Sequence, residues 1–474
     1  MVVIGMVMAI LDTTIVNVAL DRLATDFHTN ISTIQWVTTG YLLALAIVIP
    51  LSGWAVHRIG AKPLYLGALV IFVLGSMLCG MAWSASSLIA FRVIQGFGGG
   101  MIMPVGQTLM AQSAGPSKMN RVMAVAGIPT MLGPILGPVI GGLIITNLSW
   151  RWIFFVNLPV GLIGIALAIN LLKPSTSDRD HRFDLLGFAL LSPGLAILVY
   201  GLSSVNNPGG FLNHTVLWCL SLGVILTVLF VLRSLKAPEP LIDMSLFRNR
   251  YFSVATMCSF LLGASLYGTS FLLPLYYQLA RGQSALVAGL MMAPQGVGAA
   301  LILRKGALLA DKHGARKVVP WGMALLVIGT FAYTQQTVNT SFVLLAVSLF
   351  VRGIGLGLAM MPVFSAAFQG LRHDQVPRAS TASNIIRQVG GSIGVAIMAV
   401  VLQAQISRVL PDAHVHATTG AIPYAIGVKL AHAFGNTFWW SLALCGVALI
   451  PSLFLPDNPT EAAPKDEGAI AMVE

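Results

Sequence analysis

The 474-residue chain is 56% hydrophobic and only 9% charged, with a mean hydropathy of +0.84, which excludes an ordinary water-soluble protein and points to a membrane protein. Its net charge of +11 does not signal nucleic acid, because the Lys and Arg residues are scattered among short loops and form no continuous patch. The four cysteines, Cys79, Cys219, Cys258 and Cys445, all fall in apolar segments with neither disulfide nor metal spacing.

In chain order, the first element is an apolar segment at approximately 2–21. It lacks the basic start of a signal peptide, and Asp12 interrupts its apolar core, so it is read as a retained first span. Further stretches of the ~20 apolar residues that a membrane helix needs lie at approximately 35–56, 64–83, 88–110, 122–144, 152–172, 185–204 and 214–235. After the polar loop KAPEPLIDMSLFRNRYF come six more, at approximately 253–279, 285–303, 318–336, 342–368, 381–406 and 436–456. The expectation is an all-α membrane protein with fourteen spans, and an even number leaves both ends on one side.

One set of loops carries Arg58, Lys62, Lys118, Arg121, Lys173, Arg179, Arg182, Lys236, Arg248, Arg250, Lys312, Arg316, Lys317, Arg372 and Arg378; the other has Arg22, Arg151, Arg281, Arg408 and Lys429. The positive-inside rule assigns the first set and both termini to the cytoplasm of a plasma or inner membrane. The chain also repeats itself: span two ends in GWAVHRIGAKP and span ten in ALLADKHGARK, about half the chain later. The repeat divides the chain into an N-terminal six-helix bundle (1–172), a central loop with an additional two-helix hairpin (173–252) and a C-terminal six-helix bundle (253–456). Residues 457–474 read as a disordered cytoplasmic tail. Parallel halves around a central cavity are a transporter architecture.

Six stretches in order, LDTTIVNVAL, GWAVHRIGAK, LIAFRVIQGFGGG, GPILGPVIGG, WRWIFFVNLPVG and ASNIIRQVGGSIGVAI, resemble the motifs of the major facilitator superfamily, specifically its fourteen-span drug:proton antiporter branch. The resemblance covers nearly the whole chain and implies the major facilitator fold, arranged 6 + 2 + 6. It also implies proton-coupled export of lipophilic small molecules by alternating access, with no cofactor and the proton gradient as the energy source. Two positions depart from the pattern: His57 stands where the loop motif usually has Asp, and Ala307 replaces the leading Gly of the second copy.

Asp12 is the one acidic residue well inside a span, and an ionised carboxylate there costs several kcal/mol unless it faces a cavity or a partner. It lies ~13 Å below the outer edge by residue count and either carries a proton or pins a neighbouring helix. Arg92, ~6 Å deep in span four, is its natural partner: protonating Asp12 frees Arg92, and the reverse step releases the proton. The other reading of Arg92 is a snorkelling interfacial side chain.

Gly133, Gly137 and Gly141, with Gly142, form a smooth helix face, and Pro134 and Pro138 favour a kink. By resemblance this is the antiporter-motif helix; by spacing alone a plain packing face fits equally. Gly53, His57, Arg58, Gly60 and Lys62 in the first basic turn, and Asp311, Gly314, Arg316 and Lys317 in the second, read as a cytoplasmic gate or as positive-inside anchors. Asn17, Gln95, Met101 and Arg387 are candidates for a substrate cavity, and Arg352 is a further intramembrane cation with no acidic partner in its own span.

The expected partners are a lipophilic small-molecule substrate, protons and the lipid bilayer; whether a periplasmic adaptor joins them is open. No phosphate-binding G-x-x-x-x-G-K-[ST] occurs. A membrane-embedded enzyme is disfavoured because all nine His lie outside the spans or at their ends. A sensor lacks room for an output domain. Export of one dedicated metabolite, lipid or siderophore remains the alternative within transport.

Overall fold

The computed structural model describes residues 1–29, 31–114, 133, 136–137, 140–145, 147–172, 183–204, 213–237, 240–369, 371, 375–410 and 424–457. The elements before the polar loop are α1 (Val2–Asp26), α2 (Ile31–Val48), α3 (Leu51–Ile59), α4 (Ala61–Gly80), α5 (Ala85–Ala114), α6 (Trp152–Phe155), α7 (Asn157–Leu171), α8 (Leu185–Ser203) and α9 (His214–Ser234). After it come α10 (Arg250–Leu275), α11 (Ala285–His313), α12 (Ala315–Thr334), α13 (Phe342–Phe368), α14 (Val376–Val409) and α15 (Tyr424–Ser452). Helix is the expected solution, since hydrocarbon offers backbone groups no partner and a helix satisfies them within the segment.

Ten of these helices, and α6 and α7 taken together, are long and apolar enough to cross a membrane, and the bent pair α2–α3 makes a twelfth span. The expected count of fourteen is thus not reached among the described residues. The span expected at 122–144 lies mostly outside them, and α1 contributes only the shorter apolar stretch Val2–Val16. Two boundaries differ from expectation for physical reasons. The span expected at 35–56 is broken at Pro50 and bends by 55°, because proline has no N–H to give the helix ladder. Helix α1 continues to Asp26, five residues past its apolar part, where Arg22 pairs with Asp26 one turn on at 3.2 Å.

Within the first group, α4 and α2 pack on α5, and α1 packs on α5, α7 and α2. In the second, α13 packs on α11 and α12, and α10 packs on α14 and α15. Helix α10 is central, with two thirds of its span buried, whereas α9 has 17% buried and turns Leu217, Trp218, Leu222 and Ile225 outward, as a lipid-facing helix does. Its hairpin partner α8 lies against both α2 and α14.

The groups meet where α14 crosses α3 and α5. Ser52 and Thr381 share a hydroxyl hydrogen bond of 3.0 Å. Ser380 donates to the Pro104 carbonyl at 3.0 Å, and the Asn384 amide donates to Gln107 Oε1 at 2.6 Å. Gly53 belongs to this seam: a Cβ there would stand 3.0 Å from the Thr381 hydroxyl. All these contacts lie toward the end of the bundle that carries the basic turns.

The sequence repeat has a geometric counterpart in those turns. Gly60 and Gly314 hold φ of 93° and 85°, a region open mainly to glycine. Two residues after each, a cation reaches a later segment of its own group, at the end of α7 in the first and just beyond α15 in the second. Lys62 donates to the Ile169 and Leu172 carbonyls at 2.9 and 2.6 Å, and Arg316 pairs with Asp457 at 2.7 Å.

Candidate functional site

Asp12 sits on α1 with no solvent exposure, and three side-chain donors from two other helices converge on it. Arg92 Nη1 on α5 donates to Oδ2 at 2.5 Å. Gln95 Nε2, one turn further along α5, donates to Oδ1 at 2.9 Å, and Asn157 Nδ2 at the start of α7 donates to the same oxygen at 2.9 Å. The carboxylate therefore has the charge-assisted, multiply donated surroundings that make a buried anion tolerable.

Each donor is positioned in turn. Arg92 Nη1 also donates to Gln95 Oε1 at 2.8 Å, and Nε to the Val37 carbonyl at 3.3 Å. The guanidinium carbon lies 4.1 Å from the centre of the Tyr41 ring, an attraction that partly replaces water around the cation. Asn157 donates to Ser76 Oγ at 3.0 Å, and Ser76 to the Phe154 carbonyl at 2.9 Å. Gln95 comes this near because Gly75 on α4 leaves room: a Cβ there would stand 2.7 Å from Gln95 Cα. One polar knot thus ties α1, α2, α4, α5 and α7 together in an apolar interior.

The second group holds a different buried cation. Arg352 on α13 has 1% exposure, and among the described residues it donates to neutral groups: Gln295 Oε1 at 2.8 Å, Thr269 Oγ1 at 2.9 Å, Thr330 Oγ1 at 3.2 Å and the Ser265 carbonyl at 3.4 Å. Thr269 in turn shares a 2.7 Å hydrogen bond with Ser441. Arg92 and Arg352 occupy the fourth helix of their respective repeats.

The other candidates scatter. Gln95 belongs to the Asp12 knot rather than to an open cavity. Met101 is half-buried and packs against the apolar core. Asn17 lies on α1, and its side chain is outside the described residues, as are Pro134 and Pro138. Gly133, Gly137 and Gly141 face α1, where an added Cβ would meet Ile10, Thr14 and Ile15; the Thr14 hydroxyl donates to the Gly133 carbonyl at 3.1 Å. Arg58 and Lys317 are exposed, and His57, Gly142 and Asp311 are half-exposed. Arg387 on α14 lines a cavity between α10, α13 and α14.

Asn157 and Ser76 join the site without having been candidates. The run WRWIFFVNLPVG is legible as a motif, but 145 residues separate its amide from Asp12, and only folding brings them together. Among the described residues no group of three or more His, Cys, Asp or Glu side chains is placed to hold a metal ion.

The family profile described as "Major Facilitator Superfamily" matches residues 2–395. A "Multidrug resistance protein B homolog" of Mycobacterium tuberculosis is 39% identical over 478 aligned residues, covering 96% of this chain and 88% of that protein. The "Putative multidrug resistance protein MdtD" of Escherichia coli is 31% identical over 403, covering 85% of each. The crystal structure of the human organic anion transporter MFSD10 superposes with a TM-score of 0.61 over 94% of this chain and 97% of that one, at 16% identity, a likeness of fold alone. With the profile spanning most of its length and relatives above 30% identity aligned nearly end to end, the chain belongs to the Major Facilitator Superfamily, a family of multi-span membrane transporters rather than enzymes.

Proposed function

We propose that this protein is a fourteen-span, proton-coupled antiporter that exports lipophilic small molecules by alternating access, with both termini in the cytoplasm. The observation that carries the reading is the Asp12 carboxylate, wholly buried among Arg92, Gln95 and Asn157. The multidrug-resistance names of the relatives support a broad, lipophilic substrate range.

The chemistry follows from the contacts. With Asp12 ionised, the Arg92 bond is charge-assisted and the knot is drawn tight. Adding a proton to Asp12 cancels the anion and leaves Arg92 with Gln95, the Val37 carbonyl and the Tyr41 ring. Two protonation states thereby favour two arrangements of α1 against α5. The glycine face of the 133–141 segment, packed on α1, transmits that rearrangement to the antiporter-motif helix. The two basic turns, from Gly53 to Lys62 and from Asp311 to Lys317, are the cytoplasmic gate, and the seam between α3, α5 and α14 lies beside it. One charge moving across 100 mV supplies ~2.3 kcal/mol, roughly a fifty-fold concentration ratio.

The test is reconstitution in proteoliposomes with an imposed pH gradient, following neutral, anionic and cationic lipophilic dyes together with lumenal pH. Gradient-driven movement of at least one dye with counter-flow of protons, lost in Asp12→Asn at equal incorporation, is the expected result. Dye movement that is unchanged in Asp12→Asn, or indifferent to the gradient, removes proton coupling through Asp12. A protein that moves no dye returns the choice to export of one dedicated metabolite.

A further inference from the structure

The cavity between α10, α13 and α14 has a composition that selects among ligands. Leu262, Leu266, Leu356, Met360 and Phe364 form apolar walls, and of its lining residues Arg387 alone is charged at neutral pH. The guanidinium donates through Nη2 to Asn384 Oδ1 at 3.0 Å and reaches the Tyr267 hydroxyl through Nη1 at 3.5 Å. Its Nε is buried and has no acceptor among the described residues. A buried donor without an acceptor is costly, and a ligand oxygen placed there removes the cost.

The wider electrostatics point the same way. Arg352 lies one turn before Leu356 on α13 and donates to the carbonyl of Ser265, the chain neighbour of Leu266. Its neutral partners leave a second positive charge uncompensated behind the same wall. Among the described residues the buried carboxylates are already engaged: Asp12 has no exposed surface and three donors, and Asp184 is paired with Arg233. A lipophilic cation entering from this cavity finds no counter-charge, and a lipophilic anion does.

From this we infer that the cavity is the binding site for an anionic lipophile: an aromatic or aliphatic body against Met360 and Phe364, bearing a carboxylate, sulfonate or phenolate that accepts a hydrogen bond from the Arg387 guanidinium. The cavity is narrow in this conformation, so the ligand enters by repacking. The unbranched chain of Met360 is suited to that. As a statement about exported substrates the inference rests on the transport reading above, but binding is tested apart from transport.

The experiment is equilibrium dialysis of the purified full-length protein in lipid nanodiscs against 1-pyrenebutyrate and 1-pyrenebutylammonium, which share a ring and differ in charge, with empty nanodiscs subtracted. The wild-type protein is expected to bind the carboxylate at least roughly tenfold more tightly, the ratio that one charge-assisted hydrogen bond supplies. Arg387→Lys should retain most of that ratio and Arg387→Gln should bring it near one. Equal affinity, preference for the ammonium, no binding of either by wild type, or a preference that survives in folded Arg387→Gln overturns the inference. The wild-type ratio alone decides if the glutamine variant does not fold. Carboxylate binding without proton-coupled flux of any dye would fault the transport reading and leave the site standing.

Discussion

Two arginines, one in each repeat, are buried at matching helices and solve the same problem differently. Arg92 is neutralised by a carboxylate, and Arg352 is held by an amide, two hydroxyls and a backbone carbonyl. A pair of opposite charges can be switched by one proton; a cation among neutral groups offers no proton site and keeps its charge throughout. Under the proposed coupling, the first bundle is the one that changes state and the second carries a constant field.

The largest expected effect comes from breaking the switchable pair. Asp12→Asn leaves Arg92 buried without its counter-charge, a loss of about 3–5 kcal/mol. We predict a clear fall in melting temperature and no proton-driven efflux. Adding Arg92→Gln should recover much of the stability and none of the transport, a contrast read in one thermal and one flux assay. A double variant as unstable as the single one would show that the pair is not the source of the loss.

Asn157→Leu removes one of two donors to Asp12 Oδ1 and leaves Ser76 Oγ without that contact. We predict a cost of about 1–3 kcal/mol, with efflux reduced but not abolished; wild-type stability and flux would remove Asn157 from the site. Making the second half resemble the first is the reverse experiment. Thr269→Asp places a carboxylate where Arg352 Nη2 now meets a hydroxyl at 2.9 Å. It should raise stability by roughly 1–2 kcal/mol without adding a second coupled proton, and measured stoichiometry checks this. Smallest is Asp457→Asn, which breaks the exposed pair with Arg316; thermal unfolding should shift by less than about 1 kcal/mol.

Much of this was legible from residue order alone. Asp12 and Arg92 stand out because charge is rare and costly in apolar runs, and the two basic turns because their glycines and cations recur. Span ends at charge and proline were harder: α1 runs on through an i, i+4 ion pair, and Pro50 splits a run whose hydropathy is continuous. The amide and hydroxyl partners were not legible. Asn157, Ser76, Gln295 and Thr330 are unremarkable as single letters in a membrane helix, and only the crossing of helices gives them an arginine or an aspartate to meet. Gln95 shows the converse: polarity marked it, but its neighbours assign it to the Asp12 knot.

The hairpin helix α8 touches both bundles, and three specific contacts tie it and its entry to the first. Ser192 donates to the Ile47 carbonyl on α2 at 2.8 Å, Tyr200 stacks on Trp36 of α2 at 5.6 Å, and Phe183, just before the helix, tilts against Trp54 of α3 at 4.7 Å. Helix α8 also lies against α14. In mechanical language, under the proposed alternating-access reading α8 is fastened to the first bundle and bears on the second, so relative rotation of the bundles becomes shear along the α8–α14 contact and the hairpin restricts the axes about which they can turn.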